Sequence, residues 1–134
     1  MFLLDTNILS EMVRREPHPK VLRRYRESPD AALFTSAICL EEMRFGCCAG
    51  PDTEFRWRKV QNPVLSRVAV LDFDHAVALC GGELRADWKR AGTPVDYADG
   101  LIAATALVAG MALVTRNVRH FDHIAGLKVE NWFE

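Results

Sequence analysis

The sequence predicts an α/β protein: an α/β/α sandwich, rich in helix, around a short parallel central sheet. Three observations predict it. Short apolar runs recur along the chain: FLL (2–4), ALFTS (32–36), VAVLDF (68–73) and ALVT (112–115). Each is followed by a helix-like or turn segment, the alternation that a parallel sheet with crossover helices requires. No repeat, low-complexity tract or linker interrupts the pattern, so residues 1–134 read as one domain, long enough for a core without disulfide or metal staples.

In order along the chain, FLL leads into a helix over ILSEMVRR, with Asp5 or Thr6 as its N-cap. His18-Pro19 starts a second helix, KVLRRYRES. ALFTS leads to ICLEEMRFGCC, broken by Gly50-Pro51. TEFRWRKVQ runs to Asn62-Pro63, where the proline is expected to stop the helix. VAVLDF passes through an Asp74 cap into a long helix ending at Ala91-Gly92-Thr93-Pro94, with Gly81-Gly82 as an expected kink or junction. Asp96 starts DYADGLIAATALVAG, which Gly110 closes. ALVT is a short strand, RNVRHFDHI a brief helix and LKVENWF a final strand.

Composition narrows the class. The start of the chain lacks the basic flank and long apolar run of a signal peptide, and LIAATALVAGMALV (101–114) is too short to span a membrane. A cytoplasmic protein is expected, with no membrane partner. Cys39, Cys47, Cys48 and Cys80 form no C-x-x-C pair, and they read as small buried hydrophobes. The net charge of −1 hides an asymmetry: residues 1–67 carry eleven Lys/Arg against nine Asp/Glu, and residues 68–134 six against nine. Each basic run (VRRE, KVLRRYRE, FRWRK) reads by itself as a solvated helix face. Together they offer phosphate contacts to a nucleic acid.

In open α/β sheets, ligands bind beyond the carboxyl ends of the strands. That rule directs attention to Asp5, Thr35-Ser36, Asp72 to Asp74, and Thr115-Arg116-Asn117. On a helix beginning near Ala37, Glu42 shares a face with Ile38 and Phe45, so its carboxylate borders apolar surface and needs a partner, a cation or an arginine such as Arg44 or Arg58. Glu41 points elsewhere. The helix from Asp96 is apolar almost all round after Leu101 and should be buried, yet its first turn holds Asp96 and Asp99. Helix capping accounts for these two acids, and the helix dipole keeps them ionised; an ionised carboxylate at the tip of a buried helix is also what a hard-metal site uses. Asp72 and Asp74 are set aside, Asp74 as a cap. His120 and His123 lack a third conventional ligand. No G-x-S-x-G elbow or glycine-rich phosphate loop is present, which removes support from serine hydrolases and nucleotide-fold enzymes.

LLDTNILSE (3–11), TSAICLEEMRFG (35–46), DGLIAATAL (99–107), LVTRNVRHF (113–121) and GLKVENW (126–132) together resemble the PIN-domain family, and within it the VapC-type toxins. The resemblance implies an endoribonuclease that uses Mg²⁺, with Mn²⁺ as substitute, to hydrolyse RNA without a covalent enzyme intermediate. It implies inhibition by a VapB-type antitoxin, a homodimer and a heteromeric toxin–antitoxin assembly. Carried over by position, the family acids are Asp5, Glu42 and Asp99, expected as metal ligands, with Asp5 and Asp99 foremost. Asn117 stands where some members have aspartate, and Thr115 matches a family threonine that orients water or a carboxylate. Thr6 then becomes the expected cap, leaving Asp5 to the metal. Arg14, Arg15, Arg44 and Arg116 are candidate phosphate contacts. A phosphatase or phosphoacceptor domain with Asp5 as nucleophile fits less well, since position 7 is Asn. The alternative reading is a non-catalytic PIN-like module that binds RNA or protein.

Overall fold

Phe2, Leu3 and Leu4 form the middle strand of a parallel sheet. A computed structural model describes residues 1–93 and 95–134; Pro94, expected to help end a helix, lies outside them. Strands β1 (Phe2–Leu4), β2 (Leu33–Ser36), β3 (Ala69–Leu71), β4 (Ala112–Val114) and β5 (Val129–Glu130) pair in the order β3-β2-β1-β4-β5, every pair parallel. Leu3, Leu4, Leu113 and Val114 are fully buried, as expected of parallel strands covered on both faces.

The flanking helices among the described residues are α1 (Thr6–Met12), α2 (Pro19–Glu27), α3 (Ala37–Ala49), α4 (Thr53–Val60), α5 (His75–Ala91) and α6 (Tyr97–Ala109). The expected α/β/α sandwich is what forms. α6 is the buried helix that its composition requires: Ile102, Ala103, Ala104 and Ala106 are almost wholly enclosed. Asp96 caps it, accepting from the Asp99 amide at 3.2 Å, and Gly110 closes it at φ +66°, a conformation that side chains resist. None of these helices is long and apolar enough to cross a membrane.

Four local expectations are corrected. Pro63 does not stop the chain's coiling after α4; the helix widens into a π turn over Gln61–Leu65, with the Ser66 amide bonded to the Gln61 carbonyl. Widening moves the ring off the carbonyl that an α-helix would press against it. Gly81 marks a close approach instead of a kink: α5 runs unbroken, and a Cβ at Gly81 would stand 3.0 Å from Leu101 on α6. The final strand pairs only at Val129 and Glu130, because the chain then turns Trp132 inward against Phe2. The helix expected near Val118 is a single 3₁₀ turn, Val118–His120.

Candidate active site

The strand order reverses direction between β1 and β4, and a crevice opens beyond the ends of those two strands. Leu4 pairs with Val114, so the next residue of each strand, Asp5 and Thr115, face each other across it. The Thr115 hydroxyl donates to Asp5 Oδ2 at 2.7 Å. A fold-level rule and a specific contact therefore mark the same place.

Asp5 is 5 % exposed and accepts from four donors. Its Oδ1 takes the Thr6 amide at 2.7 Å and the Cys39 thiol at 3.9 Å. Its Oδ2 takes Thr115 Oγ1 and Asn7 Nδ2, the latter at 3.2 Å. Asp5 is thus the N-cap of α1, and the expectation that Thr6 would cap is wrong. The Thr6 side chain is committed elsewhere: its hydroxyl donates to Glu42 Oε1 at 2.8 Å. Capping and clustering are compatible, because one carboxylate oxygen is used mainly by the helix and the other by the β4 side.

Asn7 is the residue that sequence reasoning passed over. It donates to Asp5 and to Thr115 Oγ1, and its own Oδ1 accepts the Arg116 amide at 3.1 Å. Thr115 Oγ1 also accepts the Asn117 amide at 3.0 Å. Position 7 therefore clamps the 115–117 turn to α1 across more than a hundred residues of sequence. No local pattern signals such a contact. Asn117 lines the cleft, held by its backbone.

Glu42 and Asp99 open into the same cleft as Asp5, an open cavity of about 440 Å³ that Asn7, Glu11, Arg14 and Asn117 also line. The structure thus brings together Asp5, Glu42, Asp99, Asn117 and Thr115. Glu41 is exposed, as expected. The apolar face expected beside Glu42 is less complete, for Phe45 is 66 % exposed. Asp99 Oδ2 stands 2.9 Å from His120 Nδ1, so an Nδ1–H there donates to the carboxylate. His120 was discounted in the sequence for want of companion ligands; its part is to hold an acid.

The electrostatics are those of crowded like charges. Burial raises the Asp5 carboxyl above its ordinary range, outweighing the hydrogen bonds from Thr115, Thr6 and Cys39 that oppose it. Burial also raises Glu42, with Asp5 and Asp99 adding to the rise, and it raises Asp99, with Asp96 and Asp5 adding. Among the described residues no Lys or Arg pairs with these three acids: Arg14 is bound to Glu11 at 3.2 Å, and Arg44 reaches Glu54 at 3.6 Å while stacking on Trp57. A donor set of carboxylate oxygens that no Lys or Arg pairs with suits a hard divalent cation. Among the described residues no three His, Cys, Asp or Glu side chains close on a common point.

Other expectations divide. Cys39 and Cys47 are buried, Cys80 is partly covered, but Cys48 is exposed. Burial and the nearby Asp5 charge raise the Cys39 thiol, which keeps it a donor. Of the four arginines considered for phosphate, Arg44 is engaged as described and Arg116 stacks on Phe133 at 4.6 Å. Arg14 and Arg15 remain exposed beside the cleft.

Comparison with known proteins agrees with this fold. Residues 2–127 match the family model described as PIN domain. The chain is 34% identical over 131 residues to the tRNA(fMet)-specific endonuclease VapC of Shigella flexneri, covering 98% of this chain and 97% of that one. It is 36% identical over 139 residues to a VapC ribonuclease of Sinorhizobium fredii, covering 100% and 99%. Among solved structures it is similar to a chain of the DNA-bound VapBC of Salmonella typhimurium, with a TM-score of 0.90, 33% identity and coverage of 98% and 97%.

Proposed function

The chain belongs to the PIN-domain family, and from that premise we propose that it is the toxin of a toxin–antitoxin pair, an endoribonuclease that hydrolyses RNA phosphodiester bonds with a divalent metal. The observation that carries the reading is the placing of Asp5, Glu42 and Asp99 in one cleft where, among the described residues, no Lys or Arg pairs with them and only the imidazole of His120 meets one of them, Asp99. Similarity to ribonucleases and to a toxin–antitoxin complex, each over nearly the whole chain, supports the same reading.

In this proposal Asp5, Glu42 and Asp99 hold the ion, Mg²⁺ or in its place Mn²⁺. Bound there, it supplies positive charge to an entering water and to the phosphate oxygens. The chain's own residues do the positioning. Thr115 and Asn7 fix the rotamer of Asp5, so its carboxylate needs little rearrangement when substrate arrives. The Thr6 hydroxyl orients Glu42, and His120 orients Asp99. Asn117 offers an amide at the cleft wall, able to hydrogen-bond water or a ribose hydroxyl without adding negative charge. In this proposal water is the attacking group and no covalent enzyme intermediate forms.

A VapB-type antitoxin completes the proposed pair, as the VapBC complex in the structural comparison suggests. The test is sequencing of RNA 5′ ends after brief expression of wild type and Asp5→Ala. Discrete cuts present in wild type and lost in the variant are expected. Cuts that persist in Asp5→Ala would remove the assignment, and tight RNA binding without cleavage in added Mn²⁺ would favour a non-catalytic binding module.

A further inference from the structure

A nuclease that gathers three carboxylates creates a problem for its own substrate, because one divalent ion offsets only part of their charge and the remainder repels the flanking phosphates. Attraction has to come from elsewhere, and the chain's net charge of −1 offers none at long range. It must therefore be local. Beside the acid cleft lies a second open cavity of about 590 Å³, between the end of α1 and the outer face of α4. Arg14, Arg15, Arg58 and Lys59 line it, and all four are exposed.

Two features connect this cavity to the acids. Arg14 lines both cavities. A third hollow shares Thr6, Ser10 and Glu42 with the acid cleft and Val13 and Lys59 with the basic one. The path is thus continuous along α1, about 10 Å of helix. Its charge is also free. Among the described residues Arg15, Arg58 and Lys59 have no carboxylate within 4.0 Å, while Glu54 of α4 is turned to Arg44. Phe55 stands 53 % exposed in the same cavity, with Lys59 Nζ 4.6 Å from its ring centroid. An exposed aromatic face among unpaired cations is the arrangement that binds single-stranded nucleic acid, the ring stacking a base while the cations meet phosphates.

We propose that this basic cleft is the track for the single-stranded RNA that flanks the scissile phosphate on one side, with Arg15, Arg58 and Lys59 as phosphate contacts and Phe55 as a stacking platform. The proposal rests on the nuclease reading, and it gives the VRRE and FRWRK runs a joint role that neither has alone. A peptide with acidic side chains would meet the same cations. The RNA is favoured because the path runs without interruption into the site where phosphate chemistry is proposed, and because a phosphate-rich strand needs cations at the border of an acid cluster.

The test uses Arg15→Gln, Arg58→Gln and Lys59→Gln together, against a control of equal charge change on α2 and α5, Arg23→Gln, Arg26→Gln and Lys89→Gln. Both sets are placed in the full chain, with and without Asp5→Ala. Binding of a labelled single-stranded RNA of mixed sequence to the Asp5→Ala forms is measured against salt. The cleft set is expected to flatten the slope of log affinity against log salt by about 2, roughly 0.7 for each lost phosphate contact, and the control set to leave it unchanged. In the cleaving forms KM rises while kcat is kept, with thermal melts confirming that both sets fold. Single Lys59→Gln serves if the triple set melts early. Equal slopes in the two sets overturn the proposal, while cleavage by wild type leaves the nuclease reading standing. Loss of slope in the cleft set with no cleavage by any form supports the track and sinks the nuclease reading. Unchanged RNA binding with loss of co-purification of a protein partner makes the cleft a peptide groove and overturns the track.

Discussion

Thr115 Oγ1 donates to Asp5 Oδ2 at 2.7 Å across the point where the sheet changes direction. The same oxygen accepts from the Asn117 amide and from Asn7 Nδ2, so a single buried hydroxyl ties the β4 turn, α1 and the Asp5 carboxylate together. Thr115→Val keeps the shape and removes all three bonds. The expected result is a loss of about 10- to 100-fold in activity or metal affinity, the usual cost of losing a partner that orients a ligand. Stability should fall by about 1–3 kcal/mol, because buried polar groups lose their partner. Paired measurements of cleavage and of denaturant melts check both; unchanged cleavage would show that Asp5 does not depend on Thr115.

Glu42 offers a sharper test of the crowded acids. Burial, then the charges of Asp5 and Asp99, raise its carboxyl above the ordinary 4.5. A group raised in the folded state binds its proton more tightly there than in the unfolded chain. Its contribution to stability is complete below the ordinary value and is lost as pH rises through the raised one. Glu42→Gln keeps an acceptor for the Thr6 hydroxyl and removes the charge. In EDTA, the variant should therefore gain stability relative to wild type as pH rises from acid to neutral. Thermal melts across that range give the answer, and a gap that narrows with rising pH would contradict it.

Mg²⁺ should act in the opposite sense. An ion that binds only the folded state at a hundred times its Kd stabilises it by about 2.7 kcal/mol. Wild type should gain more than Glu42→Gln, and Asp5→Ala should gain least. Equal upward shifts in all three would place the ion away from this cleft.

His120 hydrogen-bonds Asp99, at 2.9 Å, and is itself 55 % exposed in its side chain. Such a residue has little to give to folding. His120→Ala is expected to lower kcat by about tenfold through a looser Asp99. The melting temperature should barely change. A large drop in melting temperature with kcat preserved would make the contact structural.

The legible part of this molecule is what repeats locally. FLL, ALFTS, VAVL and ALVT announce strands, the helical segments between them announce crossovers, and the strand ends point to Asp5 and Thr115. The illegible part depends on contacts between distant segments. Asn7 meets the 115–117 turn, Cys39 meets Asp5, and His120 meets Asp99 only after the sheet has formed. Giving the cap to Thr6 because Asp5 has a place in the acid cluster fails for the same reason: Glu42 claims the Thr6 hydroxyl, and Asp5 takes both parts. Pro63 misled because a π turn is a tertiary accommodation that no propensity scale contains.

Glu11 shows the same limit and yields the last test. It is 5 % exposed at the end of α1, accepting from the His18 amide at 2.8 Å and from Arg14 Nη1 at 3.2 Å. Burial raises its carboxyl, but the His18 amide and the Arg14 guanidinium outweigh burial and hold it below its ordinary 4.5. The sign is therefore opposite to that of Glu42: the stability it provides is present above the ordinary value and is lost as pH falls through the lowered one. Glu11→Gln keeps an acceptor for His18 and gives up the charge that anchors Arg14 between the acidic and basic cavities. A cost of about 1 kcal/mol is expected at neutral pH, shrinking toward acid. Denaturant melts at both ends of the range measure it. The opposite pH trends of Glu11→Gln and Glu42→Gln separate an acid held ionised by its partners from one that burial and neighbouring acids push toward its neutral form, and parallel trends would erase that distinction.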